Sequence, residues 1–168
     1  SGIKAVGNSD SIVLENVPPV IPRSLCESMY GTVGLSFENY WGFGGTPDDM
    51  KSILEDLGPG FKCFLDYTHV IVLVNQARHY TSLSYLAEFR DLEKTIQKYL
   101  ELPHAEICHF SGIPDILLSS HSSPLQGDFP QASLRNALMG MEVICLEIPF
   151  RDISVQSEIS WFREKYLK

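Results

Sequence analysis

The chain contains a continuous apolar segment at residues 69–74 (HVIVLV), and this segment constrains the fold more than any other feature. An unbroken run of β-branched and apolar residues is typical of a strand that is buried on both faces of a sheet. A second run at residues 142–148 (EVICLEI) predicts another buried strand, and residues 11–17 and 105–110 predict two shorter ones. Strands that are covered on both faces need helices on either side, so these runs predict a layered α/β domain.

Helix signals lie between the predicted strands. Thr46 can cap a helix that begins at Pro47, and the two carboxylates that follow suit the positive end of the helix dipole. This helix is predicted to end at Gly58. Apolar side chains at steps of four and three predict the longest helix over residues 81–102. Further helices are predicted over residues 21–30, 132–139 and 157–168, the last capped by Ser157, and an aromatic strand over residues 32–43.

The order of the predicted elements from residue 70 onward is strand, helix, strand, helix, strand and helix. This alternation is typical of parallel strands that are joined by crossover helices. We therefore predict an α/β fold of three layers, with a mixed, mostly parallel sheet and crossover helices. One or two N-terminal strands are expected to join this sheet in the antiparallel direction. The length indicates a single domain over residues 1–168, and the opening Ser1-Gly2 without methionine indicates a segment of a larger protein.

The charge and the cysteine content restrict the partners and the compartment. The formal net charge is −8, which opposes binding to a nucleic-acid backbone or an anionic membrane, and no apolar run is long enough to span a membrane. The four cysteines, Cys26, Cys63, Cys108 and Cys145, are widely spaced. The last three lie in apolar runs, which is typical of buried free thiols. The chain is therefore expected to work in the cytoplasm or the nucleus.

Established catalytic sequence motifs are missing from the chain. It contains no Walker A loop and no GxGxxG, GxSxG, HExxH or paired CxxC motif. His104 could share a zinc ion with Cys108 or with His109, but those two are neighbours on a predicted strand and face opposite sides. No cofactor and no structural metal are therefore expected.

One candidate active site consists of Asp66, Asp115 and Asp152. Ligands of open α/β sheets bind beyond the carboxyl ends of the strands, and Asp115 and Asp152 each follow a predicted strand. Three carboxylates could hold a divalent ion for phosphodiester hydrolysis. The set resembles the acidic site of PIN-type nucleases, although the order of the acids differs from the pattern of that family. The alternative is that each aspartate caps a turn.

Residues 12–18 (IVLENVP) resemble the first-strand motif of RNA-recognition-motif domains. A predicted short helix and an aromatic strand follow, as they do in that family. The resemblance implies a degenerate RNA-binding domain. The second motif of the family has no match, because residues 69–74 contain no Phe, Tyr or Trp on which a base could stack.

An aromatic stretch supplies the residues predicted to bind a partner, which are Tyr40, Trp41 and Phe43. Aromatic side chains beside glycines can form a protein interface, and they can equally pack within a strand. The missing catalytic motifs and this stretch together predict a non-catalytic interaction or scaffold module of a larger intracellular protein. Its partner would be another protein or a segment of the same larger protein. A metal-dependent hydrolase or PIN-like nuclease is the alternative.

Overall fold

A parallel β-sheet with helices forms the structure. The computed structural model describes residues 12–15, 45–112, 131–147 and 154–167. The strands are β1 (Ile12–Glu15), β2 (Phe61–Asp66), β3 (His104–Phe110) and β4 (Val143–Leu146). The helices are α1 (Pro47–Leu57), α2 (Tyr67–His79), a 3₁₀ helix (Ser84–Phe89), α3 (Leu92–Leu100), α4 (Gln131–Met139) and α5 (Val155–Tyr166). The α/β class is therefore confirmed.

The four described strands lie in the sheet in their chain order, β1–β2–β3–β4. Every neighbouring pair runs parallel, so β1 joins the sheet in the same direction as the others, and the prediction of an antiparallel N-terminal strand is wrong for β1. Right-handed crossovers that always step in one direction place their helices on one face of a sheet. Contacts of α2 with α3, of α3 with α4 and of α4 with α5 agree with such a row of helices. The three-layer arrangement stays a prediction.

Residues 69–74 belong to helix α2, so the prediction of a buried strand at this position is wrong. Asp66 starts the helix, because its Oδ1 accepts hydrogen bonds from the backbone N–H groups of Thr68, at 2.7 Å, and His69, at 3.3 Å. The helix is apolar because it is buried on all sides. A buried helix and a buried strand have the same continuous apolar pattern, so the pattern alone does not separate them.

The segment predicted as one long helix over residues 81–102 is divided into the 3₁₀ helix and α3. Asp91 is the N-cap of α3, and its side chain accepts a hydrogen bond from the backbone N–H of Lys94 at 3.0 Å. Arg90, at the break, donates from Nε to the carbonyl oxygen of Ala77 at 3.0 Å, which ties the break to α2. The apolar spacing continues across the break because Leu86 and Phe89 of the 3₁₀ helix lie in the same core as Leu92, Ile96 and Tyr99 of α3.

The remaining elements predicted within the described residues are present with small changes of boundary. Thr46 caps α1 through a hydrogen bond from the N–H of Asp49, and α1 ends before Gly58, whose φ of +91° favours glycine. Helix α5 begins two residues earlier than predicted, since Ser154 rather than Ser157 is its cap. Strand β4 is half-exposed rather than buried. The elements predicted over residues 21–30 and 32–43 lie outside the described residues.

The core lies against one face of the sheet. Leu65 of β2 and the β3 residues Cys108 and Phe110 have no exposed surface, and the Phe110 ring packs on Phe162 and Tyr166 of α5 at centroid distances of 5.2 and 5.5 Å. The described part of the chain includes no helix that is long and apolar enough to cross a membrane.

Burial should protect two of the thiols from reaction. Desolvation raises the pKa of Cys63 to about 12 and that of Cys108 to about 12, so neither forms the reactive thiolate near neutral pH. We predict that iodoacetamide at pH 8 leaves Cys63 and Cys108 unmodified in the folded protein and modifies both in urea, whereas the half-buried Cys145 reacts sooner. Peptide mass spectrometry over time measures this order, and rapid native labelling of Cys63 would contradict the fold.

The division of residues 81–102 can be tested at Asp91. Replacing an N-cap aspartate by alanine removes the acceptor for the first turn, which typically costs about 1 kcal/mol, whereas asparagine caps equally well. We predict that Asp91→Ala lowers the free energy of unfolding in urea by about that amount and that Asp91→Asn leaves it nearly unchanged. Equal stability of Asp91→Ala and wild type would instead favour the uninterrupted helix.

Candidate functional site

Five ionisable side chains converge at the carboxyl edge of the sheet. Glu15 and Asp66 are the last residues of β1 and β2, His109 is the next-to-last residue of β3, and Glu147 directly follows β4. His69 comes from the first turn of α2. These five residues are called the edge cluster below. In open parallel sheets this edge is where ligands bind.

The strand register brings the edge cluster together. Asp66 is paired with His109, and His109 is paired with Cys145, so Glu147 lies two residues further along on the same face of the sheet. Glu15 is paired with Phe64, which is two residues before Asp66 and therefore also on that face. Because the core residues Leu65 and Cys108 alternate with these positions, the edge cluster lies on the opposite face from the core.

Asp66 is the centre of the edge cluster and is completely buried. Its Oδ1 holds the N-terminal cap of α2, and its Oδ2 lies 3.6 Å from Nε2 of His69. One oxygen of this carboxylate therefore caps the helix, and the other faces the imidazole of His69 in the first turn of the same helix. Two backbone N–H groups fix its position before any ligand binds.

His109 lies between two carboxylates. Its Nδ1 is 3.2 Å from Oε1 of Glu147 and 3.7 Å from Oε1 of Glu15. The neighbouring carboxylate of Glu15 raises the pKa of His109 above its ordinary value, partial burial opposes this rise, and the charge of Glu147 adds to it. Glu15 has the larger effect on the pKa although Glu147 is nearer to Nδ1. The ring of Phe64 packs edge-on against the imidazole, with centroids 4.5 Å apart, and limits its rotation.

A buried pair of hydroxyl residues links the two histidine-bearing elements. Thr68 Oγ1 donates to the carbonyl oxygen of Ser111 at 3.0 Å and accepts from the N–H of Ser111 at 2.8 Å. The Ser111 hydroxyl donates to the same Oγ1 at 3.1 Å. These bonds fix the first turn of α2 against the end of β3. They therefore hold His69 and Asp66 at a constant position relative to His109.

The ligand atoms of the edge cluster fall into two groups of three that share Asp66. Glu15, Asp66 and His69 form one group, and Asp66, His109 and Glu147 form the other. Within each group the ligand atoms lie within 4.8 Å of one another. Carboxylate oxygens and imidazole nitrogens are common ligands of divalent metal ions. Each group could therefore supply three ligands of one such ion.

The carboxylates and imidazoles of the edge cluster lie close to one another. Asp66 lies 3.6 Å from His69, and His109 lies 3.2 Å from Glu147 and 3.7 Å from Glu15. Burying a carboxylate such as Asp66 is costly unless it is paired, and the neighbouring imidazole offers such a partner.

Only one residue of the predicted aspartate set can be placed in this site. Asp66 is at its centre, whereas Asp115 and Asp152 lie outside the described residues. The predicted partner-binding residues Tyr40, Trp41 and Phe43 also lie outside them. His104 lies at the opposite end of β3, where its Nδ1 is 2.9 Å from the carbonyl oxygen of Leu102, so it does not join the edge cluster.

The sequence contained a signal for the residues that were missed, namely Glu15, His69, His109 and Glu147. Three of them are ionisable residues at the ends of segments that the sequence predicts as strands. The rule that ligands bind beyond strand ends points to the following loops, which contain Asp115 and Asp152, and equally to the last residues of the strands themselves. His69 could not be found in this way, because its segment was predicted to be a strand rather than a helix.

A separate apolar groove lies at β4, which is the last strand in the order of the described sheet. Its volume is about 580 Å³, and its lining includes Ile144 and Leu146, which alternate with Glu147 and therefore face away from the edge cluster. The exposed side chains of Met139 and Val155 border it. The two surfaces are therefore distinct, and substitutions in one of them can serve as controls for the other.

Comparisons with known proteins do not assign a function. Searches against protein-family models, curated proteins and solved structures find no match to this chain. Function must therefore be inferred from the chemistry of the edge cluster itself.

The two roles of Asp66 can be separated by substitution. Asparagine retains the side-chain oxygen that caps α2, whereas alanine removes it, so Asp66→Ala should be less stable than Asp66→Asn by about 1 kcal/mol. Urea unfolding of both variants in EDTA measures this difference. Equal stabilities would show that the cap at Asp66 does not contribute to holding α2.

Proposed function

We propose that this domain is a metal-dependent hydrolase whose divalent ion is bound by the edge cluster. The observation that carries the proposal is the convergence of Glu15, Asp66, His69, His109 and Glu147 at the carboxyl ends of neighbouring parallel strands. A stabilising ion-pair network alone would not need two imidazoles and three carboxylates at the one edge of the sheet where α/β folds bind their ligands.

The mixture of ligand types indicates which ions fit. Calcium and magnesium prefer sites made entirely of oxygen atoms. Sites that combine imidazole nitrogen with carboxylate oxygen suit zinc, manganese, iron and cobalt. His69 and His109 therefore favour a transition metal over magnesium.

Hydrolysis is the reaction that such a site supports. A divalent ion lowers the pKa of bound water and polarises a phosphoryl or carbonyl oxygen. Around it, the residues of this chain have defined tasks. Asp66 is fixed by backbone N–H groups, the Phe64 ring packs against the imidazole of His109, and Glu147 Oε1 lies 3.2 Å from Nδ1 of His109, so these side chains would hold the ion.

The net charge restricts the substrate of this proposal. A chain with a net charge of −8 repels a long nucleic acid, so a small phosphoester is the favoured substrate. The PIN-like version of the function would need Asp115 and Asp152 beside Asp66 and a three-layer sheet, and both requirements stay predictions.

The ion should stabilise the folded domain. A ligand at one hundred times its dissociation constant adds about 2.7 kcal/mol, which raises the melting temperature by several degrees in a domain of this size. We predict that Mn²⁺ or Zn²⁺ raises the melting temperature of wild type relative to EDTA and that His109→Ala abolishes the rise. His79→Ala, on the exposed end of α2, is the matched control and should respond as wild type does.

Turnover is tested with the same proteins. Bis-p-nitrophenyl phosphate reports diester hydrolysis, p-nitrophenyl phosphate reports monoester hydrolysis, and a single-stranded oligonucleotide reports nuclease activity. We expect metal-dependent release of p-nitrophenol that His109→Ala and Asp66→Asn reduce by at least a hundredfold. A metal response without turnover on any substrate would contradict the enzymatic part of the proposal and retain metal binding.

The protein-interaction role predicted from Tyr40, Trp41 and Phe43 is the alternative to this proposal. It gains support if neither Mn²⁺ nor Zn²⁺ changes the melting temperature. The partner would then be another protein or a segment of the same larger protein, and the Tyr40→Ala, Trp41→Ala double variant would lose it while His109→Ala would retain it.

A further inference from the structure

We infer that Thr68 is a positioning residue, whose hydroxyl holds His69 in place to bind the divalent ion of the edge cluster. This inference rests on the proposed function, because it names what keeps one ligand of that site in position. It follows from the bonds that Thr68 makes in two directions. Its N–H donates to Oδ1 of Asp66, and its hydroxyl bonds with Ser111 just beyond the end of β3.

His69 differs from the other members of the edge cluster in the element that carries it. Three of the others lie in strands, and Glu147 joins the sheet through its N–H, which donates to the carbonyl oxygen of Phe110 at 3.0 Å. The backbone hydrogen bonds between parallel strands therefore fix these four residues relative to one another. His69 lies in helix α2, so those bonds do not fix its position.

The Asp66 cap alone is a weak restraint on His69, because it uses the carboxylate that would also bind the ion. Oδ1 accepts from the backbone N–H of His69 at 3.3 Å, which is long for a hydrogen bond, and Oδ2 lies 3.6 Å from Nε2 of the same residue. Ion binding that rotates this carboxylate would disturb the cap as well. A restraint made by atoms that are not ligands would keep the turn in place.

The hydroxyl of Thr68 provides such a restraint. Its Oγ1 donates to the carbonyl oxygen of Ser111 at 3.0 Å and accepts from the N–H of Ser111 at 2.8 Å and from its hydroxyl at 3.1 Å. Thr68 is 1 % exposed and Ser111 is completely buried, which strengthens these bonds. Because Ser111 follows His109 by two residues, the bonds tie the turn that carries His69 to the strand that carries His109.

Thr68→Val tests the inference, because valine keeps the shape of threonine and lacks the hydroxyl. Calorimetric titration of the full chain with Mn²⁺ should show binding weakened by about tenfold or more, which is typical when a residue that orients a metal ligand is lost. Thr68→Ser, which retains the hydroxyl, should bind as wild type does. The visible absorption spectrum of bound Co²⁺, which reports the arrangement of the ligands, should change in Thr68→Val and not in Thr68→Ser.

Thr95→Val is the matched control, because Thr95 is another completely buried threonine. Its hydroxyl donates to the carbonyl oxygens of Asp91, at 2.6 Å, and Phe89, at 3.3 Å, and it does not belong to the edge cluster. In EDTA, both valine variants should unfold at a lower urea concentration than wild type. Thr95→Val should nevertheless keep the Mn²⁺ affinity and the Co²⁺ spectrum of wild type, which separates a loss of stability from a loss of ligand position.

Ser111→Ala keeps the inference testable if circular dichroism shows that Thr68→Val does not fold. It removes one of the three bonds and leaves the two that Thr68 Oγ1 makes with the backbone of Ser111. It should therefore fold and weaken Mn²⁺ binding by less than about tenfold. Unchanged Mn²⁺ affinity and Co²⁺ spectrum in this variant would then overturn the inference.

The outcomes separate this inference from the function on which it rests. If folded Thr68→Val binds Mn²⁺ as tightly as wild type and gives the same Co²⁺ spectrum, the positioning role is wrong and the metal site stands. Equal weakening in Thr68→Val and Thr95→Val would also overturn it, because affinity would then follow stability. A wild-type chain that binds neither Mn²⁺ nor Co²⁺ would overturn the proposed function and this inference together.

Discussion

The hydrogen bonds from the first turn of α2 to the Asp66 carboxylate are the interaction on which the rest of this structure depends. They end β2 and begin a helix at the next residue, with no loop between the two elements. Because the turn is so short, α2 starts directly above the carboxyl edge of the sheet and carries His69 to that edge. The Thr68–Ser111 bonds then lock the helix to the end of β3. Fold and candidate site are thus determined by the same few atoms.

Side chains alternate between the two faces along each strand, and in this parallel sheet the two faces have different roles. One face carries Leu65, Cys108 and Phe110 into the core, where Phe110 meets the aromatic side chains of α5. The other face carries ionisable side chains at the same level of neighbouring strands, so that β3 contributes both Cys108 to the core and His109 to the edge cluster. A shift of register by one residue would turn the apolar side chains of a strand away from the core. Because such a shift exposes those side chains, burial of the core also keeps the residues of the edge cluster together.

The sequence predicted those features that depend on local chemistry. The cap at Thr46, the end of α1 at Gly58 and the strand before Ser111 were predictable because each depends on residues that are close to it in the sequence. The failures occurred where distant packing decides. Residues 69–74 have a strand-like composition, and they are helical because the Asp66 cap begins a helix immediately before them. The site could be predicted only at Asp66, because bringing Glu15 beside His109 and Glu147 requires the strand order and the register, which no local pattern contains.

Asp66 serves the fold and the candidate site at once. As a helix cap, Asp66 could be replaced by the neutral and equally good asparagine. Its charge matters instead to the edge cluster, because Oδ2 lies 3.6 Å from Nε2 of His69, and an asparagine could not form an ion pair with that imidazole. His109 lies in the same way between the carboxylates of Glu15 and Glu147. The carboxylates and imidazoles of the edge cluster therefore position one another, so the proposed ligands of an ion are already gathered at the carboxyl ends of the strands.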